Sequence, residues 1–224
     1  MKYLLMISFF MISTTANAQF AGLLGGSKSE KTENSISAEA EQEIVVKNYK
    51  KVLRGLLRAD AKFKESMGLK EEAAIALKTA DIVVGEECGQ KCLEENTQKT
   101  KEAIETYKSF AEQSDALTDE EKKSFRSGAV EFLKTAGVRM PKLVKNVKAW
   151  NSTALDEVKD AGFMGASKLK KKLSSGFFIV SNLPSLASLS VESTKNILGF
   201  AQTQNINTTD IQDEANGDDD EFES

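Results

Sequence analysis

The stretch that decides the fold is residues 45–63, VVKNYKKVLRGLLRADAKF. Its apolar residues recur at intervals of three and four, which places them on one face of an α-helix. They are Val45, Tyr49, Val52, Leu56, Ala59 and Phe63, with Leu53 and Leu57 widening the stripe. The charged residues of the stretch, including Arg54 and Asp60, are expected to point away from it. Such a helix must bury its apolar face against other helices, so the stretch predicts a bundle.

The first helix is predicted to begin at a cap on Ser35 or Ser37 and to end near Met67, with Gly68 as a left-handed stop. Gly55 inside this helix costs about 1 kcal/mol relative to alanine, which indicates that a partner backbone approaches closely there. The next two helices are predicted over residues 69–87 and 91–113. The third has a face poorer in apolar residues, so we expect it to be peripheral.

The second half of the chain is predicted to be helical as well. Residues 118–121, TDEE, match a capping box in which Thr118 and Glu121 satisfy each other's backbone N–H groups. The helix that they open is expected to end at Gly137. Two further helices are predicted over residues 141–150 and 152–173. In the apolar stretch 176–201, Pro184 predicts two short helices that meet at a kink, and a re-entrant membrane insertion is the alternative.

The two ends of the chain predict export and a solvated tail. Residues 1–18 combine Lys2, an apolar run over residues 3–12 and the sequence Ala-Asn-Ala before position 19, which is typical of a signal peptide cleaved after Ala18. The alternative is an uncleaved anchor, but the run is shorter than the ~20 residues that a span needs. A flexible leader over 19–34, a helical domain over 35–204 and an acidic disordered tail over 205–224 would follow. The expected location is the periplasm or the cell exterior.

Composition argues against an enzyme. Aromatic residues make up only 7% of the chain and there are two prolines, so long helices are favoured over sheets. Histidine is absent, which removes the commonest general base and the commonest zinc ligand. The sequence also contains no nucleophile elbow, P-loop or dinucleotide fingerprint. We therefore expect no catalytic residue, no cofactor and no bound metal.

Cys88 and Cys92 are the only cysteines. In one continuous helix their Cβ atoms would lie ~5–6 Å apart, whereas a disulfide needs ~3.5–4.5 Å. Gly89 allows the helix to break between them, so a disulfide here implies a turn. We favour a structural disulfide over reduced or redox-active thiols, because a redox dithiol prefers the C-x-x-C spacing.

Charge is distributed unevenly along the chain. The residues after Lys195 include eight acidic and no basic side chains, whereas residues 19–195 carry 29 − 26 = +3. Two basic clusters stand out, Arg139, Lys142, Lys145 and Lys148 beside Trp150, and Lys168, Lys170, Lys171 and Lys172. This composition is typical of contact with a membrane surface or another polyanion. The alternative is an ordinary solvated face, and a further hypothesis is that the acidic tail folds back and screens it.

Four segments carry a resemblance to a family: residues 48–74 (NYKKVLRGLLRADAKFKESMGLKEEAA), 140–147 (MPKLVKNV), 175–189 (SGFFIVSNLPSLASL) and 197–206 (ILGFAQTQNI). In these segments the chain resembles a family of exported all-helical proteobacterial proteins with no assigned activity. The resemblance therefore implies a fold and a location but no functional residue.

The function expected from the sequence is a non-enzymatic structural or protein-binding module of the periplasm or cell envelope. Its expected partner is another envelope or secreted protein, and no nucleic acid is expected. The alternative is a lipid- or membrane-surface-binding protein that uses residues 139–172 on an anionic membrane surface.

Overall fold

A computed structural model describes residues 37–112 and 116–217. Within these ranges the chain is an all-α helical bundle without strands, which confirms the predicted fold class. The helices are α1 Ala38–Ser66, α2 Lys70–Val84, α3 Gln90–Thr106, α4 Asp119–Lys134, α5 Met140–Asp160, α6 Gly162–Lys172, α7 Ser174–Thr203 and α8 Thr208–Ala215. A 3₁₀ helix, Tyr107–Glu112, follows α3, and a π-helical turn, Thr135–Arg139, joins α4 to α5.

Helix α1 lies at the centre and packs against α2, α3, α4, α5 and α7. Its predicted apolar stripe is buried along its whole length. Asp60 is buried too, with 2% of its surface exposed, so the prediction that it points away from the core is wrong. A helix covered on several sides has few solvent-facing positions. Gly68 adopts a φ of +76°, which confirms the predicted left-handed stop.

The segment α4–α5 runs antiparallel to α1 without a break. Thr118 and Glu121 form the predicted capping box at its start. The predicted end at Gly137 is wrong, because the chain continues through the π-helical turn. The predicted break after Trp150 is also wrong, since Ala154 and Val158 extend the buried stripe of α5. A Gly162 φ of +65° marks the end of α5 instead.

Helix α7 continues through Pro184, so the predicted pair of short helices is wrong. Leu183 and Leu186, on either side of the proline, are completely buried. Their packing outweighs the preference of a pre-proline residue for extended backbone. No described helix combines the length and the apolar composition needed to cross a membrane.

Helix α3 lies at the surface of the bundle, in agreement with the prediction, with nine of its 17 residues exposed and one face buried. Its face of Leu93, Thr97, Thr100 and Ile104 is buried. The threonine hydroxyls donate to backbone carbonyls one turn earlier, Thr97 to Leu93 at 2.7 Å and Thr100 to Asn96 at 2.7 Å. Because these internal hydrogen bonds satisfy the hydroxyls, threonine can occupy buried positions on this face.

Helix α8 contradicts the prediction of a disordered tail for residues 208–215. It packs on α4 through its buried residues Ile211 and Ala215, and Glu214 forms a salt bridge to Arg126 at 2.6 Å. Apolar residues at a spacing of four let this short acidic segment bury one face. The predicted signal peptide, the leader and residues 218–224 lie outside the described residues.

Candidate functional site

The fold removes two residues from the predicted basic surface. Arg139 is only 6% exposed, and its guanidinium lies 2.9 Å from the Glu131 carboxylate. Trp150 is 1% exposed, and its indole N–H donates to the Ala38 carbonyl at 2.8 Å. Arg139 fits inside because it lies against Gly55, which has no side chain. Neither residue can contact an external partner.

The lysines of α5 remain on the surface. Lys142, Lys145 and Lys148 are exposed, and they lie on the side of α5 opposite its buried stripe. At a spacing of three residues they turn by about 60° per step around the helix. They therefore form a spiral of separate charges rather than one compact patch.

Helix α6 carries the second predicted basic cluster and an exposed apolar pair that the predicted helix boundaries do not indicate. None of its residues is buried. Phe163 is 97% exposed and Met164 83%, the highest values among the exposed large hydrophobic residues of the described chain. Lys172 differs from the other lysines of the cluster, because its Nζ lies 2.9 Å from the Glu39 carboxylate.

The outward side of α6 combines apolar and basic residues. Ala166 and Leu169 pack toward the core, and six exposed residues occupy the other sides of the helix over an arc of about 160°. These residues, here called the α6 face, are Phe163, Met164, Ser167, Lys168, Lys170 and Lys171. The apolar pair lies at the start of the helix and the lysines about 10 Å further along it. Lys168, Lys170 and Lys171 form no salt bridge with a described carboxylate.

The α6 face lies at one end of the described helical bundle. Trp150 and Glu157 both hydrogen-bond to Ala38, so the start of α1 lies level with the part of α5 between these two residues. Helix α5 continues ten residues beyond Trp150, about 15 Å, before the chain reverses at Gly162. Phe163 and Met164 therefore project at the tip. The segment GFMG, residues 162–165, is the sequence signal for this exposed pair. The predicted helix over residues 152–173 runs through the segment, so the sequence does not predict that α6 begins there.

A groove opens between α2 and α3, with α1 as its floor. Its volume is about 330 Å³. The residues that line this α2–α3 groove are Leu57, Asp60 and Lys64 of α1, Glu72, Ile75, Ala76 and Thr79 of α2, and Lys99, Glu102, Ala103 and Thr106 of α3. The lining therefore combines an apolar wall with several charges.

Asp60 lies at the base of this groove and has two partners. The Lys64 ammonium lies 2.8 Å from one carboxylate oxygen, and the Tyr107 hydroxyl donates to the other at 3.3 Å. Burial raises the pKa of Asp60 above its ordinary value, although Lys64 and Tyr107 oppose the shift. Burial and the neighbouring Asp60 raise the pKa of Tyr107 well above its ordinary value. Lys64 and Tyr107 therefore offset only part of the free-energy cost of burying the ionised Asp60 carboxylate.

Cys88 and Cys92 form the predicted disulfide pair. Their sulfur atoms lie 2.05 Å apart and their Cα atoms 5.1 Å. The chain leaves helical geometry at Gly85 and resumes it at Gln90, so the turn inferred from Gly89 is also present. The bridge closes the connection between α2 and α3.

No group of three or more histidine, cysteine or carboxylate side chains in the described ranges could hold a metal ion. Comparisons with protein-family models, curated proteins and solved structures find no match. The resemblance to exported proteobacterial proteins therefore stays a prediction.

Proposed function

We propose that the protein is a non-enzymatic exported protein that docks on an anionic membrane surface through the α6 face. The observation that carries this proposal is the exposure of Phe163 and Met164, 97% and 83%, beside three exposed lysines. Single exposed apolar residues are common on protein surfaces. Two adjacent ones at a tip, followed by exposed lysines on the same short helix, are typical of an interfacial anchor.

The expected binding free energies indicate that both the apolar pair and the lysines of the α6 face are needed for docking. Burying a phenylalanine or methionine side chain contributes roughly 1.5–3 kcal/mol. Each lysine near an anionic surface contributes roughly 1 kcal/mol. Because either contribution alone gives weak binding, the combination on one short helix supports a membrane partner over a purely polar one.

Helix α6 is also pre-organised for docking. Ala166 and Leu169 hold it on the core, and Lys172 ties its end to α1 through Glu39. Binding would therefore need little ordering of the backbone, which reduces the entropic cost of association.

Export and the broader prediction of a structural or protein-binding module stay predictions. The N-terminal segment favours export, and the disulfide is compatible with an oxidising compartment. We favour the membrane surface as partner because the α6 face offers both an apolar and a basic component.

Vesicle co-sedimentation tests the proposal. The protein should bind vesicles of phosphatidylcholine mixed with phosphatidylglycerol, and bind phosphatidylcholine alone much more weakly. The double variant Phe163→Ser/Met164→Ser should lose most of this binding. The triple variant Lys168→Gln/Lys170→Gln/Lys171→Gln should lower the partition coefficient by roughly a hundred-fold, because about 3 kcal/mol of attraction is removed.

Matched variants elsewhere serve as controls. Ile82→Ser removes an exposed apolar residue from α2, and Lys142→Gln/Lys145→Gln/Lys148→Gln removes the same charge from α5. Both should bind more tightly than their α6 counterparts. Equal losses in the α5 and α6 triple variants would show a response to net charge alone and would overturn the assignment to α6.

A further inference from the structure

We propose that residues 19–24, QFAGLL, form a second membrane anchor beside the α6 face, so that the protein docks through two apolar segments at one end of the bundle. The second anchor rests on the proposed function, because it would contact the same anionic membrane surface. Residues 19–36 lie outside the described residues, and the described chain begins at Ser37.

The start of α1 lies beside α6. The backbone N–H of Ala38 donates to the Glu157 carboxylate near the end of α5 at 2.8 Å. The ammonium group of Lys172, the last residue of α6, donates to the Glu39 carboxylate at 2.9 Å. Glu157 precedes Phe163 by only six residues, about 9 Å of helical rise. The segment that precedes α1 therefore leaves the bundle at the end that carries the α6 face.

Residues 19–24 are the apolar part of the predicted leader. Phe20, Leu23 and Leu24 supply three large apolar side chains, and the segment contains no charged residue. Residues 25–36, GGSKSEKTENSI, are polar except for the two glycines and Ile36. Apolar side chains at the end of a polar tether are removed from water only when they meet another apolar surface.

The tether has the length needed to bring residues 19–24 to the membrane that the α6 face contacts. Its glycine, serine and charged residues are typical of a flexible chain, for which residues 25–36 give a root-mean-square length of about 17–21 Å. Phe163 lies about 9 Å of helical rise beyond Glu157, the partner of Ala38. A tether whose length is similar to the span that it crosses gives a high effective concentration. Docking of α6 would therefore hold the second segment close to the same surface.

The exposed hydrophobic side chains of α2 lie further from the start of α1. Ile82 is the nearest of them, and its neighbour Asp81 pairs with Arg54 at 3.7 Å. Arg54 lies about 24 Å along α1 from Ala38. The α6 pair is therefore the nearer of these two exposed apolar surfaces.

A membrane suits the two segments better than direct contact between them. Phe163 and Met164 are two side chains on the convex surface of a helix and could cover only part of residues 19–24. The boundary between headgroups and acyl chains can bury both segments at once. One short apolar contact gives marginal, reversible membrane binding, and a second membrane signal makes the anchoring stable.

Tryptophan reporters in the chain from Gln19, the predicted mature start, test the proposal. With phosphatidylglycerol vesicles, the emission of Phe20→Trp should shift to the blue and be quenched by brominated acyl chains, as at Phe163→Trp. Quenching at position 163 without quenching at position 20 would overturn the second anchor and leave the proposed function intact. Quenching at neither position, or at position 20 alone, would overturn both.

Matched pairs of apolar residues measure the contribution of the second anchor to binding. Phe20→Ser/Leu24→Ser should lower the partition coefficient on these vesicles by about ten-fold or more. Ile75→Ser/Ile82→Ser removes two exposed apolar side chains from α2 and should leave it unchanged within about two-fold. Equal losses in the two variants would show a response to overall hydrophobicity and would overturn the assignment to residues 19–24.

Discussion

Gly55 is the residue at which α1 and the π-helical turn come closest. A Cβ atom there would collide with the Thr135 hydroxyl and would lie within 3.1 Å of Arg139 and Glu131 side-chain atoms. The close approach expected at Gly55 therefore exists, but side chains make it rather than a backbone. The ion pair between buried Arg139 and partly exposed Glu131 thus occupies the space that glycine leaves.

Gly55→Ala should destabilise the protein by roughly 1–3 kcal/mol, because overpacking outweighs the gain in helix propensity. Gly199 is the matched control, since it lies inside α7 with no atom within 4 Å of a built Cβ. Gly199→Ala should stabilise by up to about 1 kcal/mol. Urea unfolding measures both changes, and equal stabilisation by the two would contradict the packing described here.

Asp60 should make stability depend on pH with a definite sign. Its pKa is raised in the folded state, so the folded protein keeps this proton at pH values where the unfolded chain has lost it. The contribution of Asp60 to stability should therefore fall as pH rises from about 4 through its folded pKa. The difference in unfolding free energy between wild type and Asp60→Asn should decrease over this window. If this difference in unfolding free energy increased with pH, Lys64 and Tyr107 would have to offset the cost of burying the Asp60 carboxylate fully, which would contradict the account.

Burial of individual polar residues was the part that the sequence could not predict. The apolar stripe of α1 followed from its spacing, because that pattern depends only on helical geometry. Asp60 and Arg139 are buried because other elements cover them, and those contacts come from residues far away in the chain. The exposure of Phe163 likewise depends on where α5 ends.

At the scale of elements, the disulfide links the turn between α2 and α3 to the first turn of α3 and closes a very short loop. Residues 88 and 92 are four positions apart, so the chain-entropy model gives only about 2 kcal/mol. The variant Cys88→Ser/Cys92→Ser should remain folded and lose no more than about this amount, measured by urea unfolding. Loss of the helical circular dichroism signal would show that the bridge is needed for the fold itself.

Element types were predictable, and element ends were less so. The capping residues predicted the start of α4, and Gly68 predicted the end of α1, because both are local signals. Gly137 and Pro184 are also local signals, yet helices continue through both positions. At Gly137 and Pro184, the free energy gained by burying neighbouring side chains in the core outweighs the local preference for ending a helix. Helix α8 was not predicted, because only two of its residues, Ile211 and Ala215, form its apolar face and the surrounding sequence is acidic.

At the scale of the molecule, the acidic helix α8 and the α6 face lie near opposite ends of the described bundle. Glu214 pairs with Arg126, and Arg126 precedes Trp150 by 24 positions of one continuous helical segment, about 36 Å. Seven residues, 218–224, can span at most about 25 Å. The tail therefore ends at least about 11 Å short of the level of Trp150. This distance exceeds the Debye length of about 8 Å at physiological salt.

Deleting residues 218–224 should therefore leave binding to anionic vesicles unchanged within about two-fold at physiological salt. Co-sedimentation of the truncated and full chains measures this directly. A large gain in binding on truncation would instead support the hypothesis that the tail screens the basic face.

The most direct test of membrane docking is the depth of position 163. Trp150 is the only tryptophan and is buried, so Phe163→Trp adds one exposed reporter, and Ile82→Trp on α2 is its control. With phosphatidylglycerol vesicles, the emission of Phe163→Trp should shift to the blue and be quenched by brominated acyl chains, whereas Ile82→Trp should respond little. Quenching at position 82 without quenching at position 163 would contradict docking through the α6 face.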